Sequence, residues 1–191
     1  MLIVTYSTIQ NAGDVMKKKS MKIKIVEYKS EYKSRYKELN YEWLEKYFEV
    51  EENDEKILSF PEEEILHKAG HIFFAVVDGE AIGTCTLMKL DDTRFEISKM
   101  CVTNKFQGYG IGEKLLDKVI SKAYDLGAQE IMLSTNDKLT AALNLYQKKG
   151  FRIVKEKPLD LHGYKRESTT MFFDLDLYRN KNESIKREDE D

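Results

Sequence analysis

Three glycines at alternate positions, Gly108, Gly110 and Gly112, stand between the strand-like run RFEISKMCV and a helix-like run in which Leu115, Leu116, Val119, Ile120 and Ala123 recur at helical spacing. This is the point at which a central strand passes to a helix in a mixed α+β sheet. The turn also has a chemical meaning. The first N–H groups of a helix lack intrahelical partners, and the helix dipole adds roughly half a positive charge there. Glycine permits positive φ and keeps Cβ atoms out of a ligand's way, so phosphate is the natural guest. A tight turn with no ligand is the alternative.

Two common phosphate sites do not fit. A P-loop ends in Gly-Lys-Ser/Thr, whereas Gly112 is followed by Glu113 and Lys114. A dinucleotide fold needs G-x-G-x-x-G and an acidic residue after the next strand, but the spacing here is G-x-G-x-G and the next strand, EIMLS, lacks that residue.

The rest of the chain sets the turn in a larger pattern. MKIKIVEY begins with a short strand, and SEYKSRYKELNYEWLEKYF repeats Tyr32, Tyr36, Leu39, Trp43 and Tyr47 at helical intervals. An acidic connector follows, and Pro61 opens a second short helix that Gly70 ends. HIFFAVV, the turn DGE and AIGTCTLMKL form a hairpin, and RFEISKMCV adds a third strand. After the glycine turn come a helix ending at LGA, the strand EIMLS, the helix DKLTAALNLYQKKG, and two closing strands, FRIVKEK and TTMFFDLDL. The expected fold class is α+β, a mixed and mostly antiparallel sheet with helices on both faces.

The 191 residues, 41% of them apolar, suit one domain, expected over residues 21–178. Residues 1–20 form an N-terminal extension, and the polar stretch 179–191 is expected to be a disordered tail. A net charge of −3 from abundant charges of both signs gives no global basic field, so no nucleic-acid partner is expected. No apolar run is long enough to span a bilayer, and Cys85 and Cys101 lack disulfide or zinc spacing, so no membrane association and a cytoplasmic location are expected. His67, His71 and His162 are too scattered for a metal site, and none is expected.

With its flanks, QGYGIG resembles the Q/R-x-x-G-x-G/A signature of the GNAT superfamily of acetyl-CoA-dependent N-acetyltransferases, with Gln107, Gly110 and Gly112 at its defined positions. FEISKMCV resembles the family's central strand. ALNLYQKKGF matches its later A-x-x-x-Y-x-x-x-G-F pattern through Ala142, Tyr146, Gly150 and Phe151. The resemblance runs from about Met21 to Leu177 and implies a GNAT-like domain of about seven strands. It also implies a central strand splayed from its neighbour by a bulge near Met100 or Cys101.

The resemblance further implies that coenzyme A, as acetyl-CoA, is the cosubstrate. Its pyrophosphate would rest on Gln107, Gly108, Tyr109, Gly110, Ile111, Gly112 and Glu113, and its pantetheine arm on Met100, Cys101 and Val102. Ala142 belongs with these by the later motif. Tyr146 corresponds to the tyrosine that protonates the departing sulfur, although an aromatic on the core face of a helix is the simpler reading of the residue alone. Glu96 corresponds to a glutamate that serves some relatives as base; an exposed strand residue or ion-pair partner is the alternative. Many relatives carry asparagine seven residues before the tyrosine, but Leu139 stands there, and Asn136 either replaces it or caps the helix.

Cys101 suggests a ping-pong route only weakly, since no thiol-activating base is apparent and buried cysteine is common. Direct transfer to a primary amine of a small molecule or peptide is expected, with an acyl-CoA-binding sensor without turnover as the second reading. Relatives are often dimers, so a homodimer is an expectation. Tyr36, Tyr41, Trp43, Tyr47, Phe48 and Phe60 are candidate acceptor walls, and the acidic run EVEENDEK either attracts a cationic amine or is a solvated surface. Tyr164 and Arg166 lie near the end of the motif region. Arg166 offers a bidentate contact for a carboxylate or an ion pair.

Overall fold

Strand-period and helix-period segments alternate into a seven-stranded sheet of order β1-β2-β3-β4-β5-β7-β6. The computed structural model describes residues 21–154, 164–166 and 168–175. The expectations for residues 1–20, for the tail 179–191 and for His162 lie outside the described residues. The strands are β1 (Lys24–Glu27), β2 (His71–Val77), β3 (Glu80–Lys89), β4 (Arg94–Val102), β5 (Glu130–Thr135), β6 (Arg152–Ile153) and β7 (Thr169–Asp174). The helices are α1 (Lys33–Tyr47), α2 (Glu52–Ser59), the short α3 (Pro61–Glu64), α4 (Ile111–Asp125) and α5 (Thr140–Lys148). Among the described strands only β4 and β5 pair in parallel. The helix α4 between them is the crossover that a parallel pair requires.

The Asp78-Gly79 turn takes positive φ at both residues, 50° and 86°, which matches the twist of the β2–β3 hairpin it closes. Both of these strands are buried almost throughout, because helices cover both faces. On one face α4 and α5 pack Leu115, Leu116, Val119 and Tyr146 over Phe73, Leu87, Ile97 and Leu133. On the other, α1 to α3 pack Tyr36, Leu39, Leu44, Ile57 and Leu58 over Ile72 and Phe74. Rings of Tyr28, Tyr32 and Tyr36 surround Phe74 at centroid distances of 6.3, 5.0 and 6.1 Å.

Two local expectations are corrected. The acidic connector contains a helix, α2. A capping box starts it: the Glu51 side chain takes the N–H of Asp54 and the Asp54 side chain takes the N–H of Glu51. Ile57 and Leu58 then bury its apolar face. The helix at Pro61 is only four residues long, and a 3-10 turn follows it, with Ala69 rather than Gly70 as the left-handed residue (φ 58°).

The register of β4 decides the shape of the sheet's centre. Phe95 and Ile97 face α4, whereas Glu96 and Ser98 lie opposite Met88 and Thr86 on the α1 face. The pairing then slips: Thr86 is opposite Ser98 and Thr84 opposite Cys101, so Lys99 and Met100 together face Cys85. This bulge begins one residue earlier than expected, at Lys99, whose φ is +49°. Pairing with β5 covers only Arg94–Ile97 against Glu130–Leu133, and beyond Ile97 the two strands part.

Candidate active site

The parting of β4 and β5 opens a cleft of about 980 Å3. It is lined by the free stretch of β4, the glycine turn, the start of α5 and the end of α1. Its β4 wall is a strand edge that β5 does not pair beyond Ile97, and such an edge accepts an extended amide-bearing ligand as an added strand. Met100, Cys101 and Val102 form this edge.

At one end of the cleft the glycine turn separates into two kinds of glycine. Gly108 and Gly110 adopt φ +78° and +73°, and a Cβ on either would meet nothing within 4 Å, so the backbone is open to a ligand. Gly110 caps α4, and the first intrahelical bond runs from Lys114 N–H to the Gly110 carbonyl at 3.1 Å. The N–H groups of Ile111, Gly112 and Glu113 therefore precede the helical ladder, in the position where anions bind. Gly112 has different surroundings. A Cβ there would make ordinary van der Waals contacts, 3.4 Å from Leu145 Cδ2 and 3.5 Å from Met100 Cε, so this residue lies at the packed junction of α4, α5 and β4 rather than in open space.

The Gln107 amide donates to the Val102 carbonyl and to Asn104 Oδ1, both at 3.1 Å, and so ties the turn to the end of β4. Tyr109 packs edge-on against Phe106. The Glu113 carboxylate accepts from Lys148 and Lys149 at 3.0 Å, which leaves its backbone to face the turn.

At the other side of the cleft Tyr146 and Ala142 come from α5. Tyr146 is buried, its hydroxyl 3.6 Å from Met100 Sδ. Burial, with lesser contributions from Cys85 and Cys101, pushes its phenol well above the usual range and keeps it protonated. Asn136 lines the cleft and accepts the Lys138 N–H at 2.9 Å, so it shapes the turn ahead of α5; the residue at the helix cap is Leu139. Glu96 is buried on the cleft floor, 4% exposed.

A splayed central pair, a bulge, a glycine turn at a helix start and a tyrosine across the cleft form one arrangement, and the sequence carries the matching signature. The profile of the acetyltransferase (GNAT) family matches residues 37–151. The chain belongs to the GNAT family.

Its GNAT relatives include an uncharacterized N-acetyltransferase of Mycobacterium bovis, 31% identical over 98 residues, which are 51% of this chain and 63% of that protein. The chain thus spans less than two thirds of that relative's length. YvbK of Bacillus subtilis, also an uncharacterized N-acetyltransferase, is 34% identical over 110 residues, 54% of this chain and 71% of that protein. Among solved structures, a GNAT acetyltransferase of Staphylococcus aureus superposes with a TM-score of 0.73 at 28% identity, covering 81% of this chain and 99% of that one. The yncA protein of Salmonella typhimurium, solved with acetyl-CoA, has the same fold: TM-score 0.64 at 18% identity, covering 81% of this chain and 94% of that one.

In this GNAT chain a buried ionic node, with Lys99 and Asp54 at its centre, was not visible in the sequence. The bulge turns Lys99 toward α2, where its ammonium donates to Asp54 at 2.5 Å and to the Tyr164 hydroxyl at 2.9 Å. Arg166 grips the same carboxylate with two bonds, 2.7 and 2.8 Å, and stacks over Tyr164 at 4.1 Å and Phe48 at 5.6 Å. The carboxylate partner of Arg166 is therefore internal.

Burial opposes ionisation of Asp54, but bonds from Arg166 and the charge of Lys99 outweigh it and hold the carboxyl at about 2. Burial pushes the Lys99 ammonium below the usual lysine range, against the pull of Asp54. The signal for this node was a lysine where strand alternation calls for an apolar residue.

Cys101 donates its thiol to the Leu39 carbonyl at 3.2 Å, and burial pushes it and Cys85 above the usual thiol range. Both are poor nucleophiles in that state. Of the aromatic candidates, Trp43, Tyr47 and Phe48 line the cleft, whereas Tyr36 is wholly buried against Thr86 and Phe60 is exposed elsewhere. Among the described residues no group of histidine, cysteine or acidic side chains could hold a metal, and no helix is long and apolar enough to cross a membrane.

Proposed function

We propose that the protein transfers the acetyl group of acetyl-CoA to a primary amine by direct attack within a ternary complex. The observation that carries this reading is the cleft at the β4–β5 parting, which joins an open strand edge, a Cβ-free helix start and a buried phenol. Gly108, Gly110 and the N–H groups that begin α4 fit a pyrophosphate. The edge from Met100 to Val102 fits the amide-bearing pantetheine arm. Solved relatives from Salmonella typhimurium and Elizabethkingia anophelis hold acetyl-CoA, which supports the same donor here.

The amine nitrogen forms a bond to the thioester carbonyl carbon, the carbon–sulfur bond breaks, and the amine loses one proton while the sulfur gains one. Glu96 takes the amine's proton, directly or through water. Tyr146 gives its proton to the sulfur. Its raised pKa makes it a weak acid in water, but burial that pushes the thiols of Cys85 and Cys101 upward also makes a departing thiolate in this cleft more basic. Alignment of amine and thioester supplies most of the remaining acceleration. The proposed setting is the cytoplasm, which suits two free thiols. No nucleic acid or membrane enters this reading, and a homodimer is compatible with it.

The test measures free thiol from acetyl-CoA offered with amino acids, polyamines, aminoglycosides and peptides. Tyr146→Phe should lower kcat about 100-fold, in line with the loss of a general acid. Tight coenzyme binding with no thiol release from any acceptor, unchanged in Tyr146→Phe, would sink the reading in favour of a sensor.

A further inference from the structure

The acidic run from Glu49 to Glu55 suggests an acceptor with several positive charges, but the fold turns the key carboxylates away from the cleft. Glu51 accepts the backbone N–H groups of Lys165 and Arg166 at 2.7 and 3.3 Å, and Asp54 holds Lys99 and Arg166. Glu55 pairs with Lys37 at 2.5 Å and takes the Ser59 hydroxyl at 2.7 Å. None of these three lines the cleft.

The charged side chains that do line its acceptor half are Glu96, Lys99, Lys138 and Arg166, one acid and three cations. Two of the cations are joined to Asp54. Lys138 is exposed and sits 5.7 Å from the centre of the Phe48 ring, the ring that Arg166 also covers. Among the described residues no carboxylate pairs with Lys138.

A polyamine would bring a second ammonium toward Lys138, and like charges repel across a partly dehydrated cleft. An amine that also carries an anion meets complementary charge at both ends. We propose that the acceptor is an amino acid or a similar carboxylate-bearing amine, its amino group toward Glu96, its carboxylate toward Lys138 and its side chain against Trp43 and Tyr47. This inference rests on the acetyl-transfer reading.

The test compares leucine and phenylalanine with their carboxamides, and with spermidine, by thiol release from acetyl-CoA. The α-amino group of a carboxamide titrates near ~8, lower than that of a free amino acid, so it reaches its nucleophilic neutral form more readily. A preference for the carboxylate therefore runs against intrinsic reactivity. We expect kcat/KM for the free acids to exceed that of the amides at least tenfold, and Lys138→Met to bring that ratio within threefold of unity.

Equal or better use of amides or spermidine overturns the proposal. So does a ratio that survives Lys138→Met while coenzyme KM rises, because Lys138 would then belong to the donor. If no acceptor releases thiol, the transfer reading fails on its own. The anion preference is then read from binding of the same pairs to the coenzyme-A-loaded protein, followed by the fluorescence of Trp43, the only tryptophan. Equal affinity for acid and amide there overturns it as well.

Discussion

Asp54→Ala is expected to be among the most destabilising single changes in the chain. Asp54 is wholly buried and is the shared partner of Lys99, itself 6% exposed, and of Arg166. The drop of its carboxyl from 3.8 to about 2, at about 1.36 kcal/mol for each tenfold change in proton affinity, corresponds to about 2.5 kcal/mol of stability at neutral pH. Truncation also strands Lys99 in a dry site, and breaking a buried pair in this way costs about 3–5 kcal/mol. A loss of about 3 kcal/mol would lower the midpoint of thermal unfolding by roughly 6–12 °C for a chain of this size.

The pH dependence follows from the sign. The folded pKa of Asp54 lies below its unfolded value, so its contribution is fully present above about pH 4 and is lost as pH falls through about 2. Urea unfolding followed by Trp43 fluorescence and circular dichroism at pH 7 and pH 3 measures both terms. The gap between wild type and variant attributable to ionisation should be roughly halved at pH 3. In a cycle with Lys99→Met, the two changes should couple by about 0.5–3 kcal/mol. A variant within about 1 kcal/mol of wild type at pH 7, or a gap that does not narrow at pH 3, would refute the reasoning.

Further expectations concern the glycine turn and the second core. Gly110→Ala must hold a side chain at φ +73°, a strain of about 1–2 kcal/mol, and its Cβ would stand where the pyrophosphate is proposed to rest; on that proposal coenzyme affinity by calorimetry should fall about tenfold or more. Gly112→Ala puts a Cβ at ordinary contact distance from Leu145 and Met100 on a helical residue, so thermal stability should hold or rise slightly, and a larger loss of stability than in Gly110→Ala would show that the two glycines have been assigned the wrong way round. Phe74→Ala removes the ring at the centre of three tyrosines, and a loss of about 3–5 kcal/mol in urea unfolding is expected.

What could be read from the sequence was what local spacing encodes. The Asp78-Gly79 hairpin, the glycine cap of α4 and the order of strands follow from turn chemistry and hydrophobic period. The parting of β4 from β5 followed only from family resemblance. No spacing rule places the bulge at Lys99, because a bulge depends on register with β3. The α2 helix was legible in principle, since Glu51 and Asp54 precede Ile57 and Leu58 at capping-box spacing. The density of charge hid it. The Asp54 node joins residues 45 and 112 positions apart, so it appears only when the chain has folded. Gln107 shows the converse: its place in a motif was plain, while its bonds to Val102 and Asn104 were not.

The early parting of β4 and β5 also has a mechanical side. β5, β7 and β6 are joined to the rest of the sheet by the four residue pairs from Arg94 to Ile97, and α4, which connects the two parts, packs chiefly over β2, β3 and β4. Among the interior pairings of the sheet this is the shortest, so a seam runs through its middle. A ligand laid against the free edge of β4 would act as mortar in that seam, so that filling the cleft and stiffening the protein become the same event.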